Sequence, residues 1–268
     1  MRATPLRRTA RTLVARHAPG VLADRARRYE MALRGRWGVT DLAERFAHQH
    51  GATVQAGPSA GLAYRIEDLP WVDAPVAKLV GVYEADLHPI LTEVVRRAPP
   101  LFVDIGCADG YYAVGMAMAS PATVVHAYDI SRSARRLCTA NADRNGVAGR
   151  VRVTGACTAS GLRRLGALRG AFVLCDIEGA EDDLLDGEML ELLARSELLV
   201  EVHEEIRPGV LERLTERFAT THHVAQVHGT PRDALEHPAL RTLPPDERAL
   251  ALTEARQGVW LHLVPRTL

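Results

Sequence analysis

Asp104, Asp129, Asp176 and Glu201 each end or directly follow an apolar run that reads as a buried strand, and His203 lies two residues beyond Glu201. In open α/β sheets ligands bind outside the carboxyl ends of the strands, so these positions are the first candidates for chemistry. In the run VDIGCADGYY (103–112), Gly106, Ala108 and Gly110 alternate between Asp104, Cys107 and Asp109. Small residues there let a ligand approach the backbone, and glycine adopts angles closed to other residues. The spacing G-x-A-x-G is not the G-x-G-x-x-G of a pyrophosphate loop, and Asp104 would oppose a phosphate. Asp129 comes 19 residues after Gly110, where a carboxylate can accept both hydroxyls of a ribose. Together these acids favour a ligand with a ribose and an amine or other cationic centre, and without phosphates.

The second half of the site lies in LCDIEGAEDDLL (174–185) and LLVEVHEE (198–205). A carboxylate at Asp176, after AFVLC, needs a functional reason to be there. Period-two alternation puts Glu201 and His203 on the same side. An imidazole titrating near neutrality can take a proton from a substrate hydroxyl, with Glu201 orienting it. Asp176, Glu201 and His203 sharing a divalent cation is the less favoured alternative. Glu178 and Glu181 open the next helix, where acids complement the helix dipole.

These residues need a parallel sheet beneath them. Apolar, β-rich runs at 101–105, 123–129, 150–154, 171–177 and 197–202 alternate with helical patterns at 110–119, 131–145, 158–168, 180–194 and 208–218. Two further strands are expected at 222–228 and 258–264, too far apart for a tight hairpin, with a helix at 246–256 between them. The sequence therefore predicts an α/β, mostly parallel seven-stranded sheet with helices on both faces. Residues 1–99 form an N-terminal helical extension, and 100–268 form the ligand-binding domain with an insertion or lid at 229–257.

The composition is that of an ordinary globular protein: 268 residues, 47% hydrophobic, 25% charged and a net charge of zero. Disordered and collagen-like classes are excluded, and no run approaches a membrane span. The basic residues are 32 Arg and one Lys, Lys78, a skew better explained by GC-rich codons than by anion recognition. Ten Arg against Asp24 and Glu30 make residues 1–36 a basic arm, read as an amphipathic helix packed on the domain in preference to a nucleic-acid contact. Its apolar residues are too scattered for a secretory signal, so a cytoplasmic location is expected. Cys107, Cys138, Cys157 and Cys175 show no C-x-x-C pair and read as small buried residues in reducing surroundings.

The segment VDIGCADGYYAVGMA followed by VHAYDIS resembles the first motif and the ribose-binding motif of class I S-adenosylmethionine (SAM)-dependent methyltransferases, over about residues 100–264. DIEGAE together with EVHEE resembles the FkbM-like branch, many of whose members are O-methyltransferases. The resemblance implies a Rossmann-like methyltransferase fold and SAM as cofactor, with a divalent metal not favoured. By the same likeness Asp104, Gly106, Ala108 and Gly110 border the methionine part, Asp129 holds the ribose, and Ala156 or Cys157 meets the adenine through the backbone, where no acid is present; Asp109, Tyr112, Ile130 and Asp176 complete the cofactor-binding candidates. Tyr83 and Glu84, on a helix read over 82–97, either close over the cofactor or follow from core packing by Val82, Leu87 and Leu91. The catalytic candidates are Asp176, His203 and Glu201, and the metal ligands are unknown. The function implied is O-methylation of a small-molecule hydroxyl, such as a sugar or secondary metabolite, by a protein able to form a homodimer. N-methylation is the alternative within the family. A non-catalytic SAM-binding module whose arm touches nucleic acid is the alternative from another class, disfavoured by the acidic balance of residues 37–268. The missing third glycine argues against a nicotinamide dehydrogenase.

Overall fold

The computed structural model describes residues 19–230, 233–252 and 258–267. The central sheet is built from β1 (Leu101–Ile105), β2 (Val124–Tyr128), β3 (Val151–Thr154), β4 (Phe172–Cys175), β5 (Glu197–Val202), β6 (His222–His228) and β7 (Val259–Pro265). Their order is β3-β2-β1-β4-β5-β7-β6. The first five are parallel, and β7 inserts antiparallel between β5 and β6. This is the mostly parallel, Rossmann-like sheet that the alternating pattern predicts. The long connection between the last two strands does not prevent their pairing, because antiparallel neighbours need no tight turn when the intervening chain packs elsewhere.

Unbroken apolar strands follow from burial on both faces. Phe102, Phe172, Leu174 and Leu199 point to one face, where they share a cluster with Leu42, Leu69, Leu79 and Val94 from the extension. Val103, Ile105, Val173, Cys175 and Val200 point to the other, against Leu185, Leu193, Leu214 and Phe218. The extension thus shares one core with the sheet. It comprises α1 (Pro19–Arg36), α2 (Val39–His50), α3 (Pro75–Val80) and α4 (His88–Arg97).

The remaining helices are α5 (Tyr111–Ala119), α6 (Arg132–Arg144), α7 (Ala159–Arg163), α8 (Glu181–Leu184), α9 (Glu188–Leu193), α10 (Val210–Phe218) and α11 (Pro245–Ala251). Three depart from the sequence reading. The helix expected over 82–97 begins as a 3-10 turn at Ala85, because Gly81 and Glu84 take left-handed backbone angles (φ 84° and 45°). The helix expected over 158–168 ends at Arg163. The helix expected over 180–194 splits at Gly187, whose φ of 50° breaks the helical path.

Residues 1–18 of the basic arm lie outside the described residues, and residues 19–36 form α1, packed on α2 and α6. The described part of the 229–257 insertion packs on the extension, through α11 against α2 and α3 and through an Arg45–Glu247 ion pair of 2.9 Å. The helix predicted at 246–256 is seen as far as Ala251, and residues 253–257 lie outside the described part. Among the described residues no helix is long and apolar enough to cross a membrane.

Candidate functional site

Strand register brings the candidate acids together. Ile105 pairs with Cys175, and Cys175 with Val200, so the next positions, Gly106, Asp176 and Glu201, lie in a row across the carboxyl edge. The Asp176 amide donates to the Ile105 carbonyl at 2.9 Å. A Cβ at Gly106 would collide with the Asp176 carbonyl, and with φ at 98° only glycine suits this position. Ala108 also has a positive φ, 46°, and its amide donates to Asp129 Oδ2 at 3.0 Å. Asp129 Oδ1 accepts from the Ser131 amide at 2.7 Å. The turn after β1 and the end of β2 are thereby fastened to each other.

Above this edge lies a cavity of about 560 Å³, within the range of small-molecule and cofactor sites. Of the residues singled out in the sequence, Gly106, Ala108, Asp129, Ile130, Ala156, Cys157 and Asp176 line it. Asp104 lies directly behind the turn, buried, with neither carboxylate oxygen meeting a hydrogen-bond partner. Burial and the neighbouring charges of Asp176 and Asp129 push its pKa up to about 8. Burial raises Asp129 as well, although amide donors and Arg27 oppose the shift.

The cavity has a cover that pattern reading assigned only a packing role. Ala23, Ala26, Arg27 and Glu30 of α1 form part of its wall. Asp24 Oδ1 accepts from Ser131 Oγ (2.6 Å), the Ser133 amide (3.1 Å) and Ser133 Oγ (3.0 Å), which ties α1 to the start of α6. Arg27 donates to the Trp71 carbonyl at 2.7 Å. An acid followed three residues later by an arginine was the available signal, indistinguishable in sequence from a solvated face.

The other predicted residues occupy a second layer. Asp109 is 1% exposed and holds Lys78 Nζ at 2.6 Å and Tyr64 Oη at 2.6 Å, so both its oxygens serve the extension. Lys78 and Tyr64 hold the Asp109 carboxyl below its ordinary pKa despite burial. Lys78 also lies over the rings of Tyr83 and Tyr111 at 4.6 and 5.3 Å. Tyr83 stands edge-on to Tyr111, and Tyr112 Oη donates to Glu84. Gly110, with φ at 87°, starts α5 and packs on Cys138. Asp109, Gly110, Tyr83, Glu84 and Tyr112 thus support the turn from behind and do not line the cavity.

At the far end of the edge, His203 is 3% exposed. Its Nδ1 is 2.9 Å from Glu181 Oε1, a fully buried carboxylate that also accepts from the Ile177 and Gly179 amides. That bond fixes a tautomer in which Nδ1 donates and Nε2 is the basic nitrogen. Nε2 points at Glu178 Oε2 and Glu201 Oε2, each at 3.6 Å, and at Asp176 Oδ1 at 3.8 Å. Glu181 and the other acids raise the His203 pKa against the effect of burial. Burial and the charge of Asp176 push Glu201 up to about 11, and burial lifts Asp176 to about 6. The expected pairing of Glu201 with His203 on one side is present, but the orienting carboxylate is Glu181. Its helix-start position concealed this role in the sequence. Of this group Asp176 and Glu178 reach the cavity wall.

No family model matches the chain, and no curated protein matches it. Among solved structures, the cofactor-bound Rv0187 from MTB is similar at 14% identity over 70% of this chain and 82% of that one, with a TM-score of 0.51. An O-methyltransferase from Bacillus cereus in complex with SAH aligns at 14% identity over 69% and 82%, with a TM-score of 0.49. The O-methyltransferase TomG from Streptomyces achromogenes, in complex with SAM, aligns at 18% over 69% and 81%, also at 0.49. At these identities the similarity to Rv0187 establishes the fold and nothing finer.

Proposed function

We propose that this chain is a class I SAM-dependent methyltransferase, of the FkbM-like branch, acting on a hydroxyl of a small molecule. The observation that carries this reading is the row of acids under a glycine turn at the carboxyl edge. Asp104 is buried with both oxygens lacking partners, Asp129 is at the end of the next strand, and Asp176 stands across from Gly106. Such a floor suits a ligand with a ribose and cationic groups, because a bound cation favours the ionised form of Asp104 and the Asp129 carboxyl can accept hydroxyls. SAM fits that description, and the fold neighbour Rv0187 is itself cofactor-bound.

When bound, the cofactor supplies a methyl group made electrophilic by its sulfonium. The protein's own residues hold and orient. Asp129 takes the ribose hydroxyls, Asp104 and the Gly106 turn face the methionine ammonium, and Ile130, Ala156 and Cys157 flank the base. Asp176, at the cavity wall, meets the acceptor hydroxyl and takes up its proton, and His203 and Glu201 behind it set its charge. The concentration of carboxylates gives a second reading some support, because an acid-lined cavity also suits a cationic amine acceptor. The four cysteines are free and three are buried, which suits a protein working in a reducing cytoplasm.

Calorimetric titration with SAM and, separately, with NAD tests the reading. Micromolar SAM binding without NAD binding is the expected result, and Asp129→Asn should weaken it at least tenfold. Absence of SAM binding to the folded protein would overturn the proposal. An acceptor screen with labelled SAM then separates hydroxyl from amine substrates.

A further inference from the structure

We infer that Arg27, on the N-terminal helix α1, binds the carboxylate of the cofactor's methionine part and so selects ligands that carry it, an assignment that rests on SAM being the cofactor. SAM presents three charged groups: a sulfonium, an ammonium and one carboxylate. The first two suit an acidic wall, whereas the strongest partner of a carboxylate is a guanidinium. Glu30, Asp129, Asp176, Glu178 and Asp183 line the cavity, and Arg27 is the only basic residue among those described that does so. The wall therefore offers one cation to the one anion of the ligand.

The guanidinium itself is incompletely partnered. Its Nη2 donates to the Trp71 carbonyl at 2.7 Å, while Nε is buried without an acceptor. Arginine has only donors, and a buried one seldom goes without an acceptor. The charge of Arg27 also reaches both acids that flank the turn after β1. Burial raises the Asp129 carboxyl and Arg27 opposes that rise; at Asp109 burial acts in the same sense, and Arg27 adds to Lys78 and Tyr64 in holding the carboxyl down. Asp129 accepts from the Ala108 amide within that turn. Arg27 thus acts at the segment to which the methionine part is assigned.

The helix is fixed in a way that leaves Arg27 available. Ala23, Ala26, Arg27 and Glu30 recur at three- and four-residue spacing and share the face that α1 turns to the cavity. The two alanines keep that face short beside the arginine. Asp24 fastens the helix to Ser131 and Ser133, and Arg34 fastens its other end to Asp73 at 2.5 Å. Docking of α1 therefore has anchors on both sides of Arg27. A purely structural Arg27, clamping the helix through the Trp71 carbonyl, would affect every ligand of the cavity alike, and a carboxylate-binding Arg27 would not.

The test is calorimetric titration of the full-length protein with S-adenosylhomocysteine and with its decarboxylated analogue, which keeps the adenosine, the thioether and the amine. The wild type is expected to bind the intact ligand about tenfold more tightly than the analogue, as a charge-assisted hydrogen bond implies. Arg27→Gln should weaken the intact ligand by a similar factor and leave the analogue within about twofold, closing the gap, while Arg27→Lys should restore part of it. Circular dichroism checks the fold of both variants, and the wild-type comparison stands without them. A wild type that binds the two ligands equally, or an Arg27→Gln variant that weakens both in the same proportion or neither, would overturn the assignment and leave the cofactor reading in place. A folded wild type that binds neither ligand would overturn the cofactor reading and this assignment with it.

Discussion

At the residue scale, the chain's single lysine has the most consequential placement outside the cavity. Lys78 and Asp109 form a buried pair at 2.6 Å, with side chains 3% and 1% exposed. Such a pair adds little net stability compared with apolar residues of the same shape, but removing one partner leaves a bare charge in the interior. Lys78→Met should therefore destabilise the fold by about 3–5 kcal/mol in urea denaturation. Lys78→Met combined with Asp109→Asn should lose less than the sum of the single changes. Strict additivity would show that the pair is not coupled. The pair also illustrates what the sequence conceals. Asp109, lying in a ligand-binding motif, reads as a cofactor residue, and nothing in spacing alone shows that a lysine 31 positions earlier takes its charge. By contrast Asp129 and Asp176 were legible, because an acid after an apolar strand has few other reasons to be there.

At the scale of elements, α1 and β6 each carry a testable role. The Asp24 carboxylate makes three contacts to Ser131 and Ser133, immediately after Asp129. Loosening α1 should disturb the cavity wall more than the core. Asp24→Ala is expected to weaken cofactor binding roughly three- to tenfold, about 1 kcal/mol, with a much smaller loss of stability; calorimetry and urea denaturation measure the two. Unchanged affinity would reduce α1 to a packing helix. On β6, His222 is fully buried, with Nε2 2.9 Å from the Ser196 carbonyl and Nδ1 2.8 Å from Thr221 Oγ1. Burial lowers its pKa below the ordinary 6.5. The folded protein then resists protonation while the unfolded chain accepts it, so this group's contribution is complete above about pH 6.5 and is lost as pH falls below that value. His222→Gln should shrink the stability difference between pH 7.5 and 5.5 by on the order of 1 kcal/mol. An unaltered difference would assign the acid sensitivity to other groups. The strands were readable almost to the residue because burial on both faces leaves continuous apolar runs. Helix ends were less so, because Gly187 and Glu84 act through backbone angles that side-chain periodicity does not encode.

For the whole molecule, the decisive fact is that residues 39–97 and one face of the sheet share a single apolar cluster. The boundary near residue 99 that the sequence suggests separates a helical segment from a β-rich one, but it does not separate two cores. Leu42, Phe46, Leu69 and Leu79 are almost completely buried against Phe102, Val114 and Phe172, and the Lys78–Asp109 pair crosses the same boundary. Cutting the chain there would expose the part of that face which the extension covers, together with the acid at Asp109. Unfolding should therefore be one cooperative event, and the tryptophans can report it: Trp37 and Trp71 lie in the extension and Trp260 lies in β7. A variant keeping only Trp71 and another keeping only Trp260 should give urea midpoints that coincide with each other and with circular dichroism. Separate midpoints would mean that the extension unfolds on its own, as a lid could. Coincident midpoints would mean that the extension and the sheet unfold as one unit, so that α2, α3 and α4 stay fixed against the strands that carry the site acids.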